Sequence, residues 1–268
     1  MKLEARDVTK VFGSRRARSG GHGVVAVNKA TMKVEPGDFV AIVGESGSGK
    51  STLARILLQL IDATEGEVLL DGKDVSKMSR KEMTQFRTAV QCVLQDPSGS
   101  LNPRKTIGRL LGEVIRFHKV ATTKSAVEEL VMESLRTVGL TPERRYMERY
   151  PHELSGGQRQ RVLLARALVL KPQIIIADEA VSALDVSVKA GVLRLMNELR
   201  ENLGIGYVLI THDLPVVRKV ASYVYVMRRG EIVEEGPTEQ LFESPQHEYT
   251  QTLLAAAPDL DAALAERA

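Results

Sequence analysis

Residues Gly44-Glu45-Ser46-Gly47-Ser48-Gly49-Lys50-Ser51-Thr52 fit the pattern G-x-x-x-x-G-K-[ST], in which a glycine-rich turn folds its backbone N–H groups around a phosphate. The flanks decide how much weight the pattern carries. Ahead of it runs an apolar, β-rich stretch, Phe39-Val40-Ala41-Ile42-Val43. Behind it Leu53, Ile56, Leu57 and Leu60 recur at helical spacing. A chance Gly/Ser-rich turn has no reason to sit between a buried strand and a helix N-terminus. In that setting the glycines let successive N–H groups converge on an anion, and the helix dipole adds partial positive charge. Lys50 reaches toward the β- and γ-phosphates, and the Ser51 hydroxyl is placed for Mg²⁺.

The remaining elements follow from periodicity and turn chemistry, and the mixture is that of an α/β protein. Strands are predicted over Leu3 to Val8 and Val24 to Val34, separated by a polar, Gly-rich loop with three arginines, Ser14 to Gly23, read as a solvated hairpin tip. Val68-Leu69-Leu70 and Lys73-Asp74-Val75 flank Asp71-Gly72, a hairpin signal. Val90 to Leu94 reads as a buried strand ending at Gln95-Asp96-Pro97. From about 100 to 155 strand signals vanish, and Leu110 to His118 and Ser125 to Val138 have helical periodicity, which predicts a helical subdomain. Two all-apolar runs, Ile174 to Ala177 and Tyr207 to Thr211, suit central parallel strands. Helices are predicted over Gln158 to Leu170, Val186 to Leu203 and Pro215 to Val220, and a hairpin over Tyr223 to Met227 and Glu231 to Glu235. The tail holds one predicted helix, Thr238 to Phe242, then an Ala/Leu-rich end.

Two further groupings carry chemistry. The run Ile174-Ile175-Ile176-Ala177 ends in Asp178-Glu179. A carboxylate at a strand tip beside a phosphate loop is where Mg²⁺ is held, and one residue further out a second carboxylate can polarise a water. Alone the pair could merely start an exposed loop; the phosphate loop upstream favours function. Leu154-Ser155-Gly156-Gly157-Gln158 precedes a helix, with Ser155 placed as N-cap and two glycines exposing N–H groups. It is either a second phosphate-cradling element or a flexible linker, and spacing alone does not choose.

With these motifs in order, the chain resembles the ATPase subunit of ABC transporters, and the match runs nearly to Glu235. The resemblance implies a P-loop NTPase fold: an ABC-type ATPase with a RecA-like core, an antiparallel β subdomain and a helical subdomain. It divides the chain into an ATPase domain over 1–235 and a short C-terminal extension over 236–268. It implies ATP and Mg²⁺ as ligands. Phe12 would stack on adenine, Gly44 to Thr52 would be the Walker A loop, and Gln95 would sense Mg²⁺ and the permease. Leu154 to Gln158 would be the signature that contacts the γ-phosphate bound on an opposite subunit. Asp178 and Glu179 match Walker B and the catalytic base, Ser182-Ala183-Leu184-Asp185 the D-loop, and His212 the switch histidine. Gln95-Asp96-Pro97 with Ser100 to Arg104, Tyr150-Pro151-His152-Glu153, and Gln246-His247-Glu248-Tyr249-Thr250 with Leu253-Leu254 resemble the dipeptide/oligopeptide/nickel import branch. Ala180-Val181 departs from the Pro-Thr common in the family, and the tail lacks the cysteines many branch members carry. The implied partners are two permease subunits, a second ATPase subunit (the same or a homologous chain) and, indirectly, an extracytoplasmic solute-binding protein. Peptide is the first expectation for cargo, with nickel or metal chelates and opine-like solutes open. The alternative is an ATPase accessory subunit of a non-transport complex, of the carbon–phosphorus lyase type.

Composition bounds these expectations. A net charge of +3 on 268 residues does not argue for nucleic acid. The single cysteine, Cys92, excludes an internal disulfide and reads as a small buried hydrophobe. The N-terminus has no apolar leader, and no run of about 18 apolar residues occurs. The expectation is a chain on the cytoplasmic face of the membrane, held there through its partners.

Overall fold

The computed structural model describes residues 1–13, 23–93, 97–180 and 184–256. In chain order its elements are β1 (Leu3–Phe12), β2 (Val24–Val34), β3 (Phe39–Val43), α1 (Lys50–Leu57), β4 (Glu65–Leu70), β5 (Lys73–Asp74) and α2 (Arg80–Ala89). Next come β6 (Val90–Val93), α3 (Pro97–Ser100), α4 (Ile107–Phe117), α5 (Lys124–Thr137), α6 (Glu143–Glu148) and α7 (Gly156–Leu168). The rest are β7 (Ile174–Asp178), α8 (Val186–Leu203), β8 (Gly206–Ile210), α9 (Leu214–Val220), β9 (Tyr223–Arg228), β10 (Glu231–Pro237), α10 (Thr238–Glu243) and α11 (Glu248–Ala255). The chain divides into two compact units, Met1–Met83 with Gly206–Ala268, and Thr84–Ile205.

The first unit contains an antiparallel sheet, ordered β2-β1-β4-β5. Asp71 and Gly72 both have positive φ (51° and 78°), as the tight turn between β4 and β5 requires, so Leu70 pairs with Lys73. In the same unit β3 lies between β8 and β9 and runs parallel to both, with β10 antiparallel on β9. Every residue of β3 and β8 is buried, which explains why both read as unbroken apolar runs. Ile42 pairs with Ile210 and Val43 with Val226. Since β3 and β8 are parallel and in register, the loops after Val43 and after Ile210 leave the same edge. Helices α9, α10 and α11 close a core over this sheet, built from Ala41, Val43, Leu214, Val217, Val224, Val226, Leu241 and Tyr249.

In the second unit β6 and β7 pair in parallel, Val93 opposite Ala177. Every regular element between 97 and 173 is helical. Thr106 and Thr123 cap α4 and α5 by accepting from Arg109 N–H and Ala126 N–H. Ile107, Leu111 and Ile115 of α4 and Val127, Val131 and Leu135 of α5 form buried stripes at helical spacing.

Several expectations need correction. Helix α1 ends at Leu57, and Leu60 is 60% exposed. Gln59 turns left-handed (φ 54°), so that Leu60 N–H bonds the Arg55 carbonyl and Gln59 N–H that of Ile56, the hydrogen-bond pair that terminates a helix. Val75 opens a short 3-10 turn capped by Asp74 rather than extending the hairpin. The tail contains a second helix, α11, where only an Ala/Leu-rich end was expected. Cys92 is half-buried, and its thiol is pushed up by burial, with the Arg166 charge opposing. The loop at 14–22 lies outside the described residues. Among the described residues no helix is long and apolar enough to cross a membrane.

Candidate functional site

The phosphate loop is built by its neighbours as much as by its own glycines. At Gly44 (φ 148°) a Cβ would stand 2.1 Å from the Met227 carbonyl oxygen, and at Gly49 (φ 105°) one would stand 2.3 Å from that of Ala26. Both positions combine a backbone that L side chains rarely adopt with a close approach of another strand. The tip of the β9–β10 hairpin supports the loop from outside: Gly230 N–H donates to the Ser48 carbonyl (2.9 Å) and Asn28 N–H to that of Gly230 (2.8 Å). Within the loop Ser48 N–H bonds the Glu45 carbonyl at 3.2 Å.

Lys50 is buried, and its ammonium donates to the carbonyls of Gly44 and Glu45, each at 2.7 Å. A cation is thus held at the loop, bonded to oxygens for which phosphate oxygens can substitute. Gly49 caps α1 without any side-chain hydrogen bond, and the first turn contains no acidic residue. The helix dipole at such a start suits an anionic ligand. Ser51 and Thr52 occupy that first turn.

His212 lies at the same edge. Thr211 N–H donates to the Ile42 carbonyl (3.2 Å), fixing the end of β8 to β3. Asp213 then caps α9 by accepting from Val216 N–H (3.2 Å), and His212 projects between these two fixed residues, exposed. Phe12 ends β1 and is 45% exposed, with the Lys10 ammonium 5.3 Å above its ring.

In the second unit Asp178 is the last residue of β7 and is buried; Glu179 follows, half-buried. Glu179 has a φ of 47°, a left-handed conformation that costs on the order of 1 kcal/mol for such a residue. Gln95, two residues beyond β6, and Ser182 and Ala183 lie outside the described residues. Asp185 is the N-cap residue of α8 but makes no side-chain cap bond.

Ser155 is the N-cap of α7, as expected. Its hydroxyl accepts from Gln158 N–H (3.3 Å) and its N–H donates to the Gln158 side chain (3.1 Å), a reciprocal capping box. Ser155 is exposed, Gly156 half-exposed and Gly157 buried. The reason for Gly157 is one that spacing did not reveal: a Cβ there would stand 2.4 Å from Val188 of α8.

Sequence reasoning missed Tyr249. It is 5% exposed on α11, and its hydroxyl accepts from Glu45 N–H at 3.0 Å, inside the phosphate loop. An aromatic four residues before Leu253 was the available signal, a helical spacing obscured by the Ala-rich end.

Comparison with known proteins identifies the family. A family model described as "ABC transporter" matches residues 27–182, and one described as "Oligopeptide/dipeptide transporter, C-terminal region" matches 233–268. The chain is 46% identical over 236 residues to the oligopeptide transport ATP-binding protein OppF of Bacillus subtilis, covering 88% of this chain and 77% of that protein. It is 48% identical over 242 residues to a probable peptide ABC transporter ATP-binding protein, y4tS, of Sinorhizobium fredii, covering 90% and 68%. It is 45% identical over 238 residues to the glutathione import ATP-binding protein GsiA of Salmonella paratyphi A, but that match covers 89% of this chain and 38% of GsiA, so the chain spans about two fifths of the length of that relative. Among solved structures, the ATP-binding cassette MJ0796, described as a dimer in a post-hydrolysis state bound to ADP and Pi, superposes with a TM-score of 0.74 at 30% identity, covering 88% of this chain and 98% of that one. CbiO1 from Clostridium perfringens, at 24% identity and a TM-score of 0.78 over 98% of each chain, shares the fold. The chain belongs to the ABC transporter family of ATP-binding proteins.

Proposed function

We propose that this chain binds and hydrolyses ATP and thereby powers an importer for a small solute, with peptides as the first candidate. The observation that carries the reading is the Lys50 ammonium held on the Gly44 and Glu45 carbonyls beside a helix N-terminus without side-chain cap. That arrangement accepts a polyphosphate. Peptide cargo rests on the names of the relatives and on the tail match. The relatives named above are all transport proteins, and the non-transport accessory role is set aside on that ground.

In this reading Phe12 stacks on adenine, and the backbone from Gly44 through Glu45, Ser46, Gly47, Ser48 and Gly49 to Thr52 wraps the phosphates, with Lys50 on the β- and γ-groups. We assign Ser51, Gln95 and Asp178 to the Mg²⁺ that accompanies ATP. An acid-free helix start carrying a hydroxyl, and a buried strand-end aspartate, fit a hard oxygen-seeking ion. When bound, that ion neutralises phosphate charge. Glu179 takes the proton of the attacking water as the bond from the γ-phosphorus to the bridging oxygen breaks, and His212 orients that water and the γ-phosphate. Ser155, Gly156, Gly157 and Gln158 of one copy face the γ-phosphate bound by another, with Asp185 between the copies. ATP favours the closed pair because its γ-phosphate bonds both copies; hydrolysis removes that difference and the pair reopens. The partners are two permease subunits and a second ATPase subunit, and the chain works at the cytoplasmic face of the membrane.

Affinity capture of the tagged chain from gently solubilised membranes, with partners identified by mass spectrometry, tests the transport reading. Two permease subunits should be recovered. Capture of soluble proteins only, with the membrane fraction empty, would refute it.

A further inference from the structure

The tail helix α11 is not used by any step above, yet its one buried aromatic touches the phosphate loop. Glu45 N–H donates to the Tyr249 hydroxyl at 3.0 Å, while the carbonyl of the same residue accepts from the Lys50 ammonium at 2.7 Å. One residue is therefore held at both ends, by the tail and by the lysine. Tyr249 itself has little freedom. Its ring packs in the core with Val43 and Val226, and the Arg228 guanidinium lies 4.9 Å above it. Its N–H donates to His247 Nδ1, the N-cap of α11 (3.0 Å). The chain ahead of α11 is fastened to β10, because the Glu234 carboxylate accepts from Gln246 N–H (2.7 Å) and His247 N–H (3.1 Å). Burial works against the charged form of Glu234, but hydrogen bonds, these two among them, outweigh it and hold its carboxyl below the usual range.

We infer that Tyr249 is a positioning residue of the nucleotide site: its hydroxyl fixes the Glu45 peptide, and through it the Lys50 ammonium, in the orientation that receives the β- and γ-phosphates. The inference rests on the nucleotide reading above. It makes the C-terminal segment a structural part of the phosphate loop.

The test compares the intact chain with Tyr249→Phe, which keeps the ring and its packing and removes only the hydroxyl. Affinity for ATP with Mg²⁺ and the melting midpoint of the nucleotide-free protein are measured on both. The loss of one hydrogen bond at a pre-organised site predicts an affinity about three- to tenfold weaker, with a midpoint close to that of the parent. An affinity within about twofold of the parent would overturn the inference. Failure of the parent itself to bind ATP would instead overturn the nucleotide reading. If the variant does not fold, amide hydrogen exchange on the parent decides. A Glu45 N–H protected to the degree of its neighbours in β3 supports the bond to Tyr249, and exchange at the rate of an open loop contradicts it.

Discussion

The glycine-rich turns ahead of α1 and α7 do different physical work. At the phosphate loop the helix begins on a glycine, without a side-chain cap. At the signature turn Ser155 and Gln158 cap the helix reciprocally. The first helix start has no acidic residue in its first turn either. The second has already satisfied the Ser155 and Gln158 N–H groups through its capping box. The glycines differ in the same way. Gly44 and Gly49 are needed for their left-handed backbone and the approach of a neighbouring carbonyl, whereas Gly157 is needed because Val188 packs against it. Similar composition therefore meets a backbone constraint in one place and a helix–helix packing constraint in the other.

This contrast predicts unequal effects of the same substitution. Gly44→Ala forces a methyl group into the Met227 carbonyl at a strained φ. It should weaken ATP binding by about a hundredfold or more, equivalent to ~2.7 kcal/mol, measured by titration with a fluorescent ATP analogue. Retention of parental affinity would show that the loop tolerates a shifted backbone. Gly157→Ala should cost about 1–2 kcal/mol of stability by overpacking, seen in urea unfolding, while ATP affinity of the single chain stays near the parent value. Smallest of the three, Ser155→Ala should cost about 1 kcal/mol through the lost cap. Here the informative measurement is the concentration dependence of ATP turnover. If Ser155 faces nucleotide on another copy, turnover at high protein concentration falls although binding by one copy does not; turnover equal to the parent's would reduce Ser155 to a cap.

The parts of the fold legible in the sequence are those dictated locally. Helix α8 and strand β2 have the expected ends because apolar spacing and turn residues agree with the packing. The end of α1 was misread because Leu60 continues the apolar period, while Gln59 in a left-handed turn breaks the helix before it. Helix α11 was missed because its N-cap is a histidine and its register is set by the burial of Tyr249 against β3 and β9, elements far away in sequence. The expectations for Lys50, Asp178, Glu179 and Ser155 came from motif and context and that for His212 from the family resemblance; the structure puts Lys50 on the loop carbonyls, Asp178 at the end of β7 and Ser155 at the start of α7. What motif reading could not supply was support: the Met227 carbonyl behind Gly44, Gly230 under Ser48, and Tyr249 on Glu45. These contacts come from backbone atoms or from one tyrosine in the tail; the spacing of Tyr249 and Leu253 signals a helix but not its contact with the loop.

The central claim is that this is a hydrolytic nucleotide site with Glu179 as the base. Its most direct test is ATP hydrolysis by Glu179→Gln, measured beside ATP binding by the same variant. The account predicts binding within about threefold of the parent and turnover reduced by about a hundredfold or more, the usual contribution of a positioned base. Turnover at the parental rate with binding intact would contradict it and would place the proton acceptor elsewhere.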